Sequence, residues 1–215
     1  MERFKNYING RWVEPKSGEY FENISPANRE DVIGEFPKSG QDDVDAAVEA
    51  ARDAFKKWRM VPAPKRGDMI RRAGDIFTRR KEELGRVMTR EMGKPTFETE
   101  GDVQEAIDTA YYAATETRRL FGHTAPSEME NKTNMTFRVP IGVCGIITAW
   151  NFPVAVPSWK ILPAIAAGNT VVYKPSKDSP HSGVIFAEII EEAGIPPGVF
   201  NVLLGTGSMG NMIVE

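Results

Sequence analysis

The chain has 215 residues, 41% hydrophobic and 27% charged with a formal net charge of −3, the balance of one large or two small globular domains. Its Lys and Arg residues are interspersed with Asp and Glu rather than gathered into a block, which excludes nucleic acid as a partner. No apolar stretch of signal-peptide length opens the chain, and runs such as Ile161 to Ala167 fall short of the roughly 18 residues of a membrane helix, so no membrane association and a cytoplasmic location are expected.

Tyr7-Ile8 and Trp12-Val13 flank Asn9-Gly10, whose tolerance of positive φ predicts a tight hairpin, expected as an ornament on the edge of the fold. From Val44 the residues Ala47, Val48, Ala51, Phe55 and Trp58 recur at helical spacing. Pro62 and Pro64 are expected to stop that helix, and Met69, Ile70, Ala73, Ile76 and Phe77 mark a second one. A third helix is predicted over Glu82 to Glu91, closed by Gly93 and Pro95, and a fourth from about Glu98 to Leu120, making the first 120 residues largely helical.

Lys132 to Val139 is polar and alternating, whereas Ile141 to Ala149 is almost continuously apolar and reads as a buried parallel strand. A helix through Trp159 to Ala167, a strand Thr170 to Tyr173, a helix Ser182 to Ala193 and a strand Val199 to Leu204 follow. This alternation predicts an α/β fold with a parallel, doubly wound, Rossmann-like sheet, the architecture that binds nucleotides at the carboxyl ends of its strands. The expected division is 1–131 for the hairpin and helices, 132–140 for a separate strand, and 141–215 for the first half of the sheet. After Gly205-Thr206-Gly207 the residues Ser208 to Glu215 read as the opening turns of another helix, so the chain is expected to be a fragment, truncated at its carboxyl end or half of a two-chain assembly.

Cys144, the one cysteine, lies inside an apolar strand, where it acts as a small hydrophobe and is assigned no catalysis. It excludes an internal disulfide, and His123 and His181 share no metal-ligand spacing with it, so no metal is expected.

The string Ala149-Trp150-Asn151-Phe152-Pro153 is similar to a signature of the aldehyde dehydrogenase superfamily. Gly168-Asn169-Thr170, Lys174-Pro175-Ser176, Glu192-Ala193-Gly194-Ile195-Pro196 and Gly205-Thr206-Gly207 follow in that family's order and spacing. Upstream, Ile8-Asn9-Gly10 with Trp12, Ser25-Pro26-Ala27, and Glu91 with Gly93-Lys94-Pro95 resemble it too. The chain is thereby identified as the amino-terminal portion of such an enzyme, which oxidises an aldehyde to an acid through a cysteine thiohemiacetal with NAD or NADP.

In the resembled family the asparagine matching Asn151 donates its amide N–H to the developing oxyanion, as a rigid donor in a dry cleft should. Capping the next helix is the compatible alternative. The resemblance places Ile147, Thr148, Ala149, Trp150, Asn151, Lys174, Ser176, Lys177, Gly205 and Gly207 at the cofactor. Lys174 would donate to ribose hydroxyls, against the alternative of a solvated strand-end lysine. Lys177 stands where NAD-preferring relatives often carry a glutamate, and its charge would welcome a 2′-phosphate, so NADP is expected to be tolerated; otherwise it points into solvent. Gly205 and Gly207 would admit the cofactor's adenine or pyrophosphate, or simply form a turn. Lys160 is either a charge-relay lysine or a partner in a surface salt bridge. The family's nucleophilic cysteine and glutamate base have no counterpart here, so the chain alone is expected to be inactive. Lys132 to Val139 resembles the strand used for subunit association, which implies a homo-oligomer. Two rivals remain: a truncated, non-catalytic nucleotide-binding or interaction module, and a dehydrogenase of another Rossmann type, which would need a Gly-x-Gly-x-x-Gly that Gly142 to Gly145 does not supply.

Overall fold

In the computed structural model, which describes residues 1–215, Asn9 and Gly10 both adopt positive φ (51° and 71°). They close the expected turn between β1 (Asn6–Ile8) and β2 (Arg11–Val13), where Tyr7 faces Trp12. The hairpin is more than an ornament, because Tyr7 also pairs with Val202 and all three β1 residues are buried. A second antiparallel pair, β3 (Tyr20–Ile24) and β4 (Val32–Pro37), falls within the first 120 residues expected to be largely helical. Its burial alternates poorly and its register shifts at Asn23/Ile24, so it carries little period-2 signal.

Four helices follow. In α1 (Gln41–Trp58) the side chain of Asp43 turns back to accept the Gly40 N–H at 3.1 Å, and Val44, Ala47, Ala51 and Trp58 form the buried stripe. Pro64 does not prolong a break: it sits in the first turn of α2 (Ala63–Arg79), where its missing N–H costs nothing. α3 (Lys81–Met92) ends at Gly93, whose φ of 73° only glycine adopts without strain. α4 (Thr96–Glu116) stops four residues short of the expected Leu120. The helical expectation for the first 120 residues therefore holds from residue 41 to residue 116, while strands occupy the first 37.

β5 (Thr124–Pro126) and β6 (Thr133–Met135) form an isolated, fully exposed hairpin. Only three residues of the alternating stretch Lys132 to Val139 pair, and Phe137, Val139 and Ile141 stand in solvent.

The principal sheet adds β7 (Val143–Ile147), β8 (Thr170–Lys174) and β9 (Phe200–Val202) to the first hairpin in the order β2-β1-β9-β8-β7. β7, β8 and β9 are mutually parallel, and β1 joins β9 antiparallel. The crossover helices α5 (Ala155–Ala166) and α6 (Pro180–Glu192) share one hydrophobic cluster with Val171 and Tyr173 of β8, backed by α2, α3 and α4. On the other face Val172 packs with Val44, Ala47 and Ala51 of α1 and with Met209 of the last helix, α7 (Gly207–Val214). Both faces are covered, as a doubly wound α/β fold requires.

β8 is buried along its whole length, whereas β7, expected to be buried, is covered by this chain only in part. It forms the sheet's edge, with Gly145 and Ile147 exposed. α7 runs back beneath it, and a Cβ on Gly145 would lie 2.9 Å from Ile213 Cγ2. No helix is long and apolar enough to cross a membrane.

Candidate cofactor and oxyanion site

Ile147 and Lys174 are partners at the carboxyl ends of the parallel strands β7 and β8, and the Thr148 N–H extends the ladder by donating to the Lys174 carbonyl at 3.2 Å. Thr148 is buried and its hydroxyl lies 3.2 Å from the Tyr173 hydroxyl, which fixes the start of the loop that follows. Ala149, Trp150 and Asn151 then emerge into solvent at the place where open α/β sheets bind ligands.

Asn151 does not cap α5. That role falls to Asp102 of α4, whose Oδ1 accepts the Ala155 N–H at 2.6 Å. Burial pushes the Asp102 carboxyl up to about 6, against this hydrogen bond and the nearby Lys94 charge, which both act to lower it. Relieved of capping, the Asn151 carboxamide is exposed, while its backbone carbonyl accepts a hydrogen bond from Lys94 Nζ at 2.7 Å.

Lys174 is not a solvated strand-end lysine: it is only 4% exposed, and its ammonium donates to the Pro175 carbonyl at 3.1 Å. Burial lowers its pKa, and the Asp178 carboxylate works in the opposite direction. The Ser176 hydroxyl accepts the Asp178 N–H at 3.2 Å and shapes the turn. Lys177 extends into solvent and meets Asp178 at 3.1 Å, an exposed pair worth well under about 1 kcal/mol.

This loop leads into α6, whose amino-terminal N–H groups are satisfied by Glu91 of α3. The buried carboxylate accepts the His181 N–H at 2.6 Å, the Ser182 N–H at 2.9 Å, the Ser182 hydroxyl at 2.6 Å and Asn23 Nδ2 at 2.9 Å. Burial nonetheless pushes it up to about 7. In the sequence Glu91 stands out only as part of a resembling string. Its one local sign is a carboxylate just before a helix-ending glycine, and its partners lie 68 to 91 residues away.

A cleft of about 250 Å³ beside the strand ends is lined by Trp150 and Asp178, so the two motif loops share it, with Glu91, Met92, Ile24 and Asn23 behind them. At the start of α7, Gly205 is buried with the Met209 sulfur 2.9 Å from where a Cβ would stand. Gly207, the first residue of that helix, has nothing within 4 Å of an added Cβ and leaves an open face beside backbone N–H donors. An ammonium, a hydroxyl and an open helix start are the donor set that ribose and phosphate groups need, so the residues present fit a dinucleotide.

Lys160 is exposed on α5 and belongs to no ion pair, so the salt-bridge role offered for it is not taken. Burial raises the Cys144 thiol, which favours the unreactive protonated form in β7.

The fold is a doubly wound α/β class with its motif loops at the carboxyl ends of the parallel strands, where such sheets bind ligands. The aldehyde dehydrogenase family model matches residues 12–215, and the chain belongs to that family. It is 43% identical over 204 residues to the alpha-ketoglutarate semialdehyde dehydrogenase of Haloferax volcanii, covering 95% of this chain and 42% of that one. It is 39% identical to the NADP(+) succinate-semialdehyde dehydrogenase of Escherichia coli K12, covering 97% and 43%. Among solved structures, an NAD-dependent aldehyde dehydrogenase from Sinorhizobium meliloti superposes with a TM-score of 0.96 at 36% identity, covering 100% of this chain and 43% of that one. An E. coli NADP-dependent enzyme gives 0.95 at 38%, covering 98% and 44%. The chain thus spans under half the length of these relatives.

Proposed function

We propose that this chain supplies the oxyanion donor and the ribose-binding half of the cofactor site to an NAD(P)-dependent aldehyde oxidation. The observation that carries this reading is the placement of the Asn151 loop and Lys174 at the ends of adjacent parallel strands. Asn151 would hold the oxygen of the aldehyde carbon as a thiolate adds to it, and its free carboxamide has an N–H to give. Lys174, with Ser176 and the Gly207 helix start, would hold the cofactor, which supplies the hydride acceptor when bound. Ile147, Thr148, Ala149 and Trp150 would form the wall between them, and exposed Phe152 and Trp159 would border the aldehyde. Lys160 is the weakest member of the set, since nothing in its surroundings directs it to the crevice.

The nucleophile and the base are not among these residues. Cys144 is unsuited to attack, so the 215-residue chain by itself is expected to bind cofactor and not to turn over. The relatives' names favour a semialdehyde, an aldehyde that also carries a carboxylate. Residues 1–131 would serve as the scaffold, 141–215 as the first half of the cofactor sheet, and 132–140 as a subunit-association strand. The exposed Met135, Phe137 and Val139 support that association. A cytoplasmic location belongs to the same reading.

Asn151→Ala in the full-length enzyme tests it: turnover should fall by roughly 10² to 10³ with cofactor affinity unchanged. Unchanged turnover, or loss of cofactor binding alone, would refute the oxyanion role. A second reading, a non-catalytic nucleotide-binding module, is favoured by the inert placement of the only cysteine and predicts cofactor binding without turnover in the natural protein.

A further inference from the structure

Lys94 occupies the three-residue turn between α3 and α4, after Gly93 and before Pro95. Its ammonium is directed beneath the loop that carries Asn151. It donates to the Asn151 carbonyl at 2.7 Å, lies 3.8 Å from the centroid of the Phe152 ring, and stands 4.0 Å from Asp102 Oδ2. The Lys94 side chain is 14% exposed and that of Asp102 0%. Asp102 Oδ2 has no hydrogen-bond partner of its own and faces the Lys94 ammonium, while Oδ1 holds the Ala155 N–H.

One ion pair from the helical region therefore grips the loop at both ends, at the carbonyl of residue 151 and at the N–H of residue 155. Between them it holds the partly exposed Phe152 ring against a cation. All of these contacts use backbone or ring atoms, and none uses the Asn151 carboxamide. The backbone is tied down from below and the side chain is left free above it.

We propose that Lys94, braced by Asp102, is the positioning residue for the Asn151 turn, fixing the oxyanion donor without touching substrate. The proposal rests on the reading that the Asn151 amide acts on the aldehyde oxygen. A donor of this kind works only when it is held in place before charge develops, and a displacement near 1 Å is costly. The ammonium itself is committed to a carbonyl, a ring and a carboxylate, so it has no role as a proton donor.

The test compares Lys94→Met with Lys94→Arg, which keeps charge and donor, and uses Lys94→Gln if the methionine variant does not fold. On the 215-residue chain, backbone amide exchange in residues 149–155 should quicken by roughly tenfold or more in Lys94→Met, with α2 and α6 unaffected and Lys94→Arg close to wild type. In the full-length enzyme kcat should fall roughly tenfold to 100-fold while the cofactor Kd and the aldehyde KM hold, and arginine should restore most of it. Unaltered exchange in residues 149–155 overturns the proposal, as does a variant that changes KM and leaves kcat intact. Should the wild-type enzyme oxidise no aldehyde, the functional reading falls, and the exchange measurement alone still decides whether Lys94 holds the turn.

Discussion

Glu91 reaches from the end of α3 to Ser182 in the first turn of α6, accepting its N–H at 2.9 Å and its hydroxyl at 2.6 Å. Asp102 does the same for α5 through Ala155. Two carboxylates of the helical region, eleven residues apart, thus terminate the two crossover helices of the sheet. Each places a carboxyl oxygen where the first N–H groups of a helix lack an acceptor.

The Glu91 link makes stability depend on pH in a defined direction. Its folded value of about 7 lies above the ordinary 4.5, so its contribution is complete below pH 4.5 and is lost as pH rises through 7. His181 behaves oppositely: burial holds it near 4 against an ordinary 6.5, so its contribution is complete above 6.5 and is lost as pH falls through 4. Urea unfolding of wild type and Glu91→Gln across pH 4 to 8 should show wild type losing on the order of 3 kcal/mol relative to the variant between 4.5 and 7. The His181→Asn comparison should give a slope of the other sign. Parallel pH curves for wild type and Glu91→Gln would show that the carboxyl titrates normally.

Lys177→Glu should shift cofactor preference from NADP toward NAD. The side chain is exposed, its only ionic partner is the neighbouring Asp178, and reversing its charge would repel a 2′-phosphate. A change of about tenfold in the ratio of dissociation constants, equivalent to about 1.4 kcal/mol, is expected from fluorescence titration of both cofactors. An unchanged ratio would place Lys177 outside the site.

Two helix-interior glycines should respond to alanine with opposite signs. At Gly67 an added Cβ would lie 2.6 Å from the Ala114 carbonyl oxygen, a backbone atom of α4, so Gly67→Ala should cost about 1–3 kcal/mol despite alanine's better helix propensity. Gly101 is exposed on α4 with nothing near its Cβ position, so Gly101→Ala should add up to about 1 kcal/mol. Thermal or urea unfolding reads both, and equal signs would mean that α2 and α4 pack less closely than described.

Asn201→Leu should destabilise the chain by about 2–4 kcal/mol, because the buried carboxamide serves three backbone groups. It accepts the Asn9 N–H at 2.9 Å and donates to the carbonyls of Gly198 at 2.9 Å and Val171 at 3.2 Å. Denaturant unfolding measures the loss, and proteolysis near the first hairpin should quicken if this tie holds it to the sheet.

Much of the site could be read from residue order. Lys174 and the Asn151 string follow apolar, β-branched runs, so their placement at strand ends follows from local pattern. The residue type of Asn151 equally suits the cap of α5, but Asp102 of α4, 53 residues before Ala155, fills that place. Lys94 is legible in the sequence only as one letter of a resembling string. Nothing in its neighbourhood of sequence announces a hydrogen bond to a residue 57 positions on.

Residue order alone sets the four helices between residues 41 and 116, the strand-helix alternation from residue 143, the turn at Asn9-Gly10 and the family, because each is written in short-range periodicity, in φ preference or in motif spacing. Tertiary contacts alone place β1 against β9, leave β7 at the edge of this chain's sheet, pair β3 with β4 and β5 with β6, and bring Glu91 and Asp102 to the starts of helices remote from them. Those outcomes depend on which backbone groups and buried charges find partners across the chain, and partners tens to nearly two hundred residues apart leave no mark on local pattern.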